Sequence, residues 1–152
     1  MKERLKILVT GATGFVGRAM CSNLEDLGHS VIRTSRVKTL DHTNLCYFIT
    51  GDLSEPIDWK NALMGTDIVI HLAAKAHILK DSPENSLEDF TTINTTASIA
   101  LAEQAVAAGV KRFIFMSSIR VNGDVTEIGK PFKPHDAPNP TNLYSLSKFW
   151  AE

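Results

Sequence analysis

A chain of 152 residues is long enough for one domain, at roughly 150 residues per domain, and leaves little over. Hydrophobic residues at 43% and charged residues at 22% exclude an intrinsically disordered chain. Sixteen basic against 17 acidic side chains leave a formal charge of −1, so no whole-molecule field draws in nucleic acid or an anionic membrane.

Leu5 to Val9 is a short β-prone run that reaches a glycine cluster at once. Gly14 to Leu27 reads as a helix, with Phe15, Val16, Ala19, Met20, Leu24 and Leu27 near a 3.6 period, and Gly28 stops it. Ser30 to Thr34 and Leu45 to Thr50 are the second and third strands, and Trp59 to Met64 a short helix. Asp67 to Leu72 is a fourth strand whose unbroken apolar run predicts burial on both faces. Ser82-Pro83-Glu84 reads as a helix start. That helix is expected to run to Ala108, with Phe90, Ile93, Ala97, Leu101 and Ala105 as its buried stripe and Gly109 as its end. Phe113 to Ser117 is the fifth strand, and residues 119–142 form a long loop rich in Gly and Pro. A last helix begins near Leu143 and is expected to be still running at Glu152, which suggests the front part of a longer protein. Strands alternating with helices over short connections imply a parallel sheet and right-handed crossovers. The expected fold is α/β: a Rossmann-type, doubly wound parallel sheet of strand order 3-2-1-4-5, without a C-terminal substrate domain.

The most informative segment is Val9-Thr10-Gly11-Ala12-Thr13-Gly14-Phe15-Val16-Gly17, between the first strand and the first helix. Glycines there let the chain turn tightly, approach a pyrophosphate and pack the helix on the sheet. The helix N-terminus adds free N–H groups and the positive end of its dipole. This points to a dinucleotide. NAD binders place an acid at the end of the second strand, but here it reads Arg33-Thr34-Ser35-Arg36, and Asp41 comes later. A carboxylate repels a 2′-phosphate and an arginine forks two hydrogen bonds to it. The expected cofactor is therefore NAD or NADP, with NADP favoured and Arg36 as its clasp. Asp52 and Leu53 after the third strand are candidates for the adenine, and Leu72-Ala73-Ala74 after the fourth for close backbone approach.

Tyr144 and Lys148 stand at i and i+4, on one helical face. A free phenol is a poor base at neutral pH, and a neighbouring cation favours its ionised form. That pair suits proton transfer from a hydroxyl while a hydride moves to or from a nicotinamide. Ser118, just past the fifth strand, adds a hydroxyl at the edge where open α/β sheets bind ligands.

On these segments, together with Gly51-Asp52-Leu53, His71-Leu72-Ala73-Ala74, Asn94 and Met116-Ser117-Ser118, the chain resembles an extended short-chain dehydrogenase/reductase of the nucleotide-sugar epimerase/dehydratase family. The resemblance spans nearly the whole chain in family order. It implies that Ser118 polarises the substrate, that Tyr144 is the acid/base, and that Lys148 binds the nicotinamide ribose and lowers the tyrosine pKa. It gives Gly11, Thr13, Gly14, Phe15, Val16, Gly17, Arg36, Asp52, Leu53, Leu72, Ala73, Ala74, Asn94, Tyr144 and Lys148 to the cofactor, and Asn94 to the ordering of the active site. It also implies a nucleotide-sugar substrate and, for the longer protein, a homodimer. The family's 4,6-dehydratases carry an Asp-Glu pair directly after the hydroxyl residue. Ile119 and Arg120 stand there instead and do no acid–base work, which argues against a dehydratase. Ser117 to Gly123 resembles a UDP-glucose 4-epimerase-like subgroup that includes 4-keto sugar reductases of surface-polysaccharide synthesis. Epimerase and reductase both remain open. A non-enzymatic dinucleotide sensor on the same fold is the rival class, and the retained Ser118, Tyr144 and Lys148 speak against it. A reductase of a non-sugar ketone is a second rival.

Other features are plainer. Only Cys21 and Cys46 are present and neither belongs to a Cys-x-x-Cys pair, so no disulfide framework or zinc site is expected; Cys21 is read as core, Cys46 as strand interior. His29, His42, His71, His77 and His135 are scattered, so no metal is expected. No apolar run approaches a membrane span and Met1 to Lys6 is too charged for a signal peptide, so a reduced, cytoplasmic setting without membrane partner is expected.

Overall fold

The computed structural model describes residues 4–38, 46–76 and 86–152. Asp41, His42, Leu45, His77 and the helix start at 82–84 lie outside these. Among the described residues there are five strands: β1 (Lys6–Thr10), β2 (Ser30–Ser35), β3 (Tyr47–Ile49), β4 (Ile68–His71) and β5 (Arg112–Phe115). They form one parallel sheet in the order β3-β2-β1-β4-β5, as the alternation of elements implies. The helices are α1 (Phe15–Asp26), α2 (Lys60–Leu63), α3 (Leu87–Phe90), α4 (Ala97–Ala107) and α5 (Leu143–Phe149). A π-helical turn, Thr91–Thr96, joins α3 to α4 without a break, and a 3₁₀ turn, Ile119–Val121, follows β5.

The sheet is buried on both faces, which is why β1 and β4 lack polar alternation. Ile7, Val9, Val31 and Ile70 point to one side, where they meet Ala12 and Cys21 with Met20 and Leu24 of α1 packed against them. Leu8, Ile32 and Val69 point to the other, against Trp59, Ala62, Leu63, Leu101 and Ala105 of the α2–α4 side. The strand order reverses between β1 and β4. The crevice outside their C-terminal ends is where an open α/β sheet takes a ligand.

Four expectations are corrected. In α1 the buried residues are Gly17 and Cys21, whereas Phe15 is 89% exposed and Leu27 is exposed. The close approach of Gly17 to the loop before it decides which side of α1 faces the sheet. In the long helix the stripe is Phe90, Asn94, Thr95, Ser98, Leu101 and Ala105, while Ile93 and Ala97 are only half-buried. A π turn lies there, with the Ala97 N–H bonded to the Thr92 carbonyl, and Asn94, Thr95 and Ser98 lie inward, while Leu101 and Ala105 beyond it are buried as expected. Cys46 precedes β3 and is exposed. The last helix ends at Phe149, with the Trp150 N–H turned back to the Leu146 carbonyl and the Ala151 N–H to the Lys148 carbonyl.

Candidate active site

The loop from Thr10 to Gly17 is locked by backbone. Gly11 has φ +65°, and a Cβ there would stand 2.8 Å from the Ala73 nitrogen. A Cβ on Gly17 would fall on the Gly11 carbonyl oxygen. These two glycines are demanded by the fold itself. Gly14 is different. It is the N-cap of α1 with φ −75° and ψ 174°, an ordinary extended conformation. A Cβ there would meet only the Gly11 oxygen, at 3.2 Å, with open space beyond. No side chain caps α1, and Thr13, Gly14, Phe15 and Val16 are exposed, so the first turn of the helix opens outward. A cradle that keeps a glycine beside open space and uncapped N–H groups fits a pyrophosphate.

At the end of β2 the two arginines part company. Arg33 is buried and forks onto Glu25 of α1, Nη1–Oε1 2.5 Å and Nη2–Oε2 2.7 Å. The bond raises the Arg33 pKa and lowers that of Glu25. Arg33 therefore belongs to the packing of α1 and has no fork left for a phosphate. Arg36 is exposed. Its charge helps hold the Asp52 carboxyl below its ordinary range, behind the larger effect of the Ser54 N–H and hydroxyl, both donated to Oδ1 at 2.9 Å. Asp52 thus closes a turn, and the Leu53 side chain packs on the α2–α4 core.

Beyond β4, the Leu72 and Ala73 N–H groups both donate to Thr10 Oγ at 3.1 Å. Leu72, Ala73 and Ala74 are half-buried beside the glycine loop. Thr10 and His71 are direct neighbours in register, with Oγ1 and Nδ1 2.6 Å apart. The other ring nitrogen of His71 lies 2.8 Å from Ser98 Oγ, whose hydroxyl donates to the Asn94 carbonyl at 2.7 Å. Asn94 is fully buried. Its Oδ1 accepts from the Lys75 N–H (2.7 Å), and its Nδ2 donates to the Lys75 carbonyl (3.0 Å) and Ser147 Oγ (2.9 Å). Ser147 closes the series by donating to the Tyr144 carbonyl at 2.9 Å. Sequence reasoning quoted Thr10 and His71 within its matching segments without giving them a role, and passed over Ser98 and Ser147. The signal for Ser98 was its place four residues after Asn94, on the same helical face.

α5 begins where Asn142 and Ser145 cap each other: Oδ1 accepts the Ser145 N–H at 2.9 Å, and Ser145 Oγ accepts the Asn142 N–H at 3.2 Å. The helix packs on the 3₁₀ turn after Ser118 and on the π turn that carries Asn94. Ser118 caps that 3₁₀ turn, accepting the Arg120 N–H at 3.3 Å. Tyr144 is half-buried, and Lys148, one turn along, is 1% exposed with Nζ 3.9 Å above the Phe115 ring. Burial depresses the Lys148 pKa to about 8, against a smaller opposing pull from Glu152. Ser118, Tyr144, Lys148 and Asn94 thus share one end of the sheet with the glycine loop, while Arg36 and Asp52 lie toward the β2–β3 end of that edge. Among the described residues no group of three His, Cys, Asp or Glu side chains is set to hold a metal, and no helix is long and apolar enough to cross a membrane.

A parallel sheet of this order with a glycine loop at its reversal point is a Rossmann-type fold. The profile of the NAD dependent epimerase/dehydratase family matches residues 7–152, and the chain belongs to that family. It is 38% identical over 146 residues to a UDP-glucose 4-epimerase of Vibrio cholerae, covering 96% of this chain and 44% of that protein. It is 30% identical over 161 residues to the human dTDP-D-glucose 4,6-dehydratase, covering 97% and 45%. The structure of MoeE5 in complex with UDP-glucose and NAD superposes with a TM-score of 0.80 at 29% identity, covering 96% of this chain and 46% of that one. The chain spans about half the length of these curated relatives.

Proposed function

We propose that this chain forms the dinucleotide-binding part of an NAD(P)-dependent oxidoreductase acting on a nucleotide-activated sugar, as a 4-epimerase or a 4-keto reductase. The observation that carries it is Lys148: a cation 1% exposed, seated on an aromatic ring one helical turn from Tyr144. Burying an ammonium is costly, and nothing in the packing of α5 requires one there. The dinucleotide, when bound, supplies or takes the hydride. Gly14 and the first turn of α1 receive its phosphates, and the Leu72–Ala74 backbone lies along it. Tyr144 holds or releases the proton of the sugar hydroxyl. Lys148 places positive charge beside it and reaches the ribose. Ser118 accepts from Arg120, so its own hydroxyl hydrogen is the one turned to a sugar oxygen. Arg36 stands exposed where an adenosine 2′-phosphate would lie, which favours NADP.

The test is calorimetry of the full-length protein with NAD and NADP, then turnover of UDP-sugars and nucleotide 4-keto sugars. Tyr144→Phe is expected to bind the dinucleotide and lose on the order of a hundredfold or more in kcat. Arg36→Ala is expected to weaken NADP roughly tenfold and leave NAD unchanged. A wild-type protein that binds neither cofactor overturns the assignment, and equal losses for both cofactors in Arg36→Ala overturn the NADP preference.

A further inference from the structure

His71 lies outside every role assigned above, yet it is 1% exposed and both its ring nitrogens are engaged. The direction of each bond follows from counting donors. A threonine hydroxyl has one hydrogen and two acceptor lone pairs. Both lone pairs of Thr10 Oγ are used by the Leu72 and Ala73 N–H groups, so its hydrogen goes to His71 Nδ1. Ser98 spends its hydrogen on the Asn94 carbonyl, so its oxygen must accept from His71 Nε2. The ring is then neutral, with its proton on Nε2. Its surroundings agree. It stacks on Phe115 at 5.9 Å between centroids, and the other occupant of that aromatic ring is the Lys148 ammonium. A second cation there would be unfavourable twice over, by burial and by repulsion from Lys148. Burial and that repulsion accordingly depress the His71 pKa to about 4.

We propose that His71 is a positioning residue: a neutral ring, protonated on Nε2 and bare on Nδ1, that ties the Leu72–Ala73 backbone to the turn carrying Asn94. It rests on the oxidoreductase reading above. Through Thr10, Nδ1 fixes the strand end that lies along the dinucleotide. Through Ser98, Nε2 fixes Asn94, and Asn94 holds Ser147 and the helix of Tyr144 and Lys148. The two nitrogens therefore weigh differently on the site: Nδ1 on the backbone beside the dinucleotide, Nε2 mainly on the reacting groups, of which Lys148 also reaches the ribose.

This separation gives a test in which plain structural damage looks different. An asparagine amide reaches the place of Nδ1 and a glutamine amide that of Nε2. In the full-length protein, His71→Asn is expected to weaken the dinucleotide by no more than about threefold and lose roughly tenfold in kcat. His71→Gln is expected to do the reverse, weakening the dinucleotide roughly tenfold with kcat held within about threefold. Ser98→Ala, a smaller change that any foldable variant set would include, should follow His71→Asn. In wild-type protein labelled with ring nitrogen-15 histidine, the His71 signals should show one protonated nitrogen, Nε2, and one bare nitrogen between about pH 6 and 8. A protonated Nδ1, a ring that titrates in that range, or equal losses of kcat and affinity in both variants overturns the proposal. Absence of dinucleotide binding by the wild type instead overturns the oxidoreductase reading, and shows itself before any variant is made.

Discussion

The three glycines of the loop look alike in sequence and differ in what they answer to. Gly17 is held by the Gly11 carbonyl and Gly11 by the Ala73 backbone, whereas Gly14 has open space on its outer side. Gly17→Ala is therefore expected to destabilise the protein by about 3 kcal/mol or more, since two packed backbone segments must part. Gly14→Val should keep its unfolding free energy in urea within about 1 kcal/mol of wild type and lose dinucleotide affinity, because its side chain would occupy the phosphate cradle. A Gly14→Val protein that unfolds, or that binds as wild type does, refutes this division. The buried cations and bases also set a pH profile. His71 stays neutral in the folded state down to about pH 4, while in the unfolded chain it takes a proton near 6.5. Between those values the unfolded state binds more protons, so stability falls as pH falls, by up to about 3 kcal/mol. The same sign holds for Lys148 at the other end: between about pH 8 and 10.5 the folded state has released its proton and the unfolded state has not, so stability rises with pH. Activity should move oppositely and decline above about pH 8, as Lys148 loses the charge it sets beside Tyr144. Urea titrations from pH 7 to 4.5 on wild type and His71→Gln isolate the acid limb, because the variant should lose that part of the slope.

Among the elements, the π turn Thr91–Thr96 does most to build the site. Within and just after it Asn94, Thr95 and Ser98 lie inward, where each finds a partner, and Ile93 and Ala97 stay half-buried. Thr95 Oγ donates to the Ser147 carbonyl at 2.8 Å beside the Asn94 bonds, so α5 docks through polar contacts that only one rotation of the helix satisfies. Asn94→Leu should thus cost about 3 kcal/mol, because it removes the hydrogen bonds to the Lys75 N–H and carbonyl and to Ser147, and more than Ile93→Ala. The reverse order in denaturant midpoints would mean that the regular-helix stripe is the true one. This is also where the sequence was hardest to read. The sheet order, the glycine loop and a last helix beginning near Leu143 were legible, because each rests on local chemistry: apolar runs, glycine spacing and the end of a Gly- and Pro-rich loop. The stripe was legible at Phe90, Leu101 and Ala105 and not at Asn94, Thr95 and Ser98, because apolar periodicity does not count polar residues buried against polar partners. Arg33 misled for a related reason. Its carboxylate partner lies on α1, and an ion pair across elements is invisible until the helix is placed.

Across the whole molecule, the candidate groups crowd one end of the sheet, and what stands over them is loop. Residues 122–141 are mostly exposed. Their ties are few and largely internal: the Asn139 N–H to the Val121 carbonyl at 2.8 Å, Thr141 to Asp124, and Phe132 against Gly123. The groups proposed to receive the dinucleotide's phosphates stand on the sheet edge and the first turn of α1, where β1 is buried. A sugar placed by Ser118 and Tyr144 would, by contrast, lie beside exposed loop and bulk water. Proton and hydride transfer depend on holding the reacting atoms close and excluding solvent, and misplacement by about 1 Å costs on the order of a hundredfold. Relatives of this family are about twice as long as the stretch matched here. The prediction is that residues 1–152 expressed alone bind the dinucleotide, with affinity lowered no more than about tenfold from the full-length protein, and turn over no nucleotide sugar. Calorimetry with NAD and NADP and a coupled assay on UDP-sugars read the two halves separately. Turnover of a nucleotide sugar by residues 1–152 would show that the loop over Ser118 and Tyr144 already encloses the substrate, and would defeat this division between binding the dinucleotide and placing the sugar.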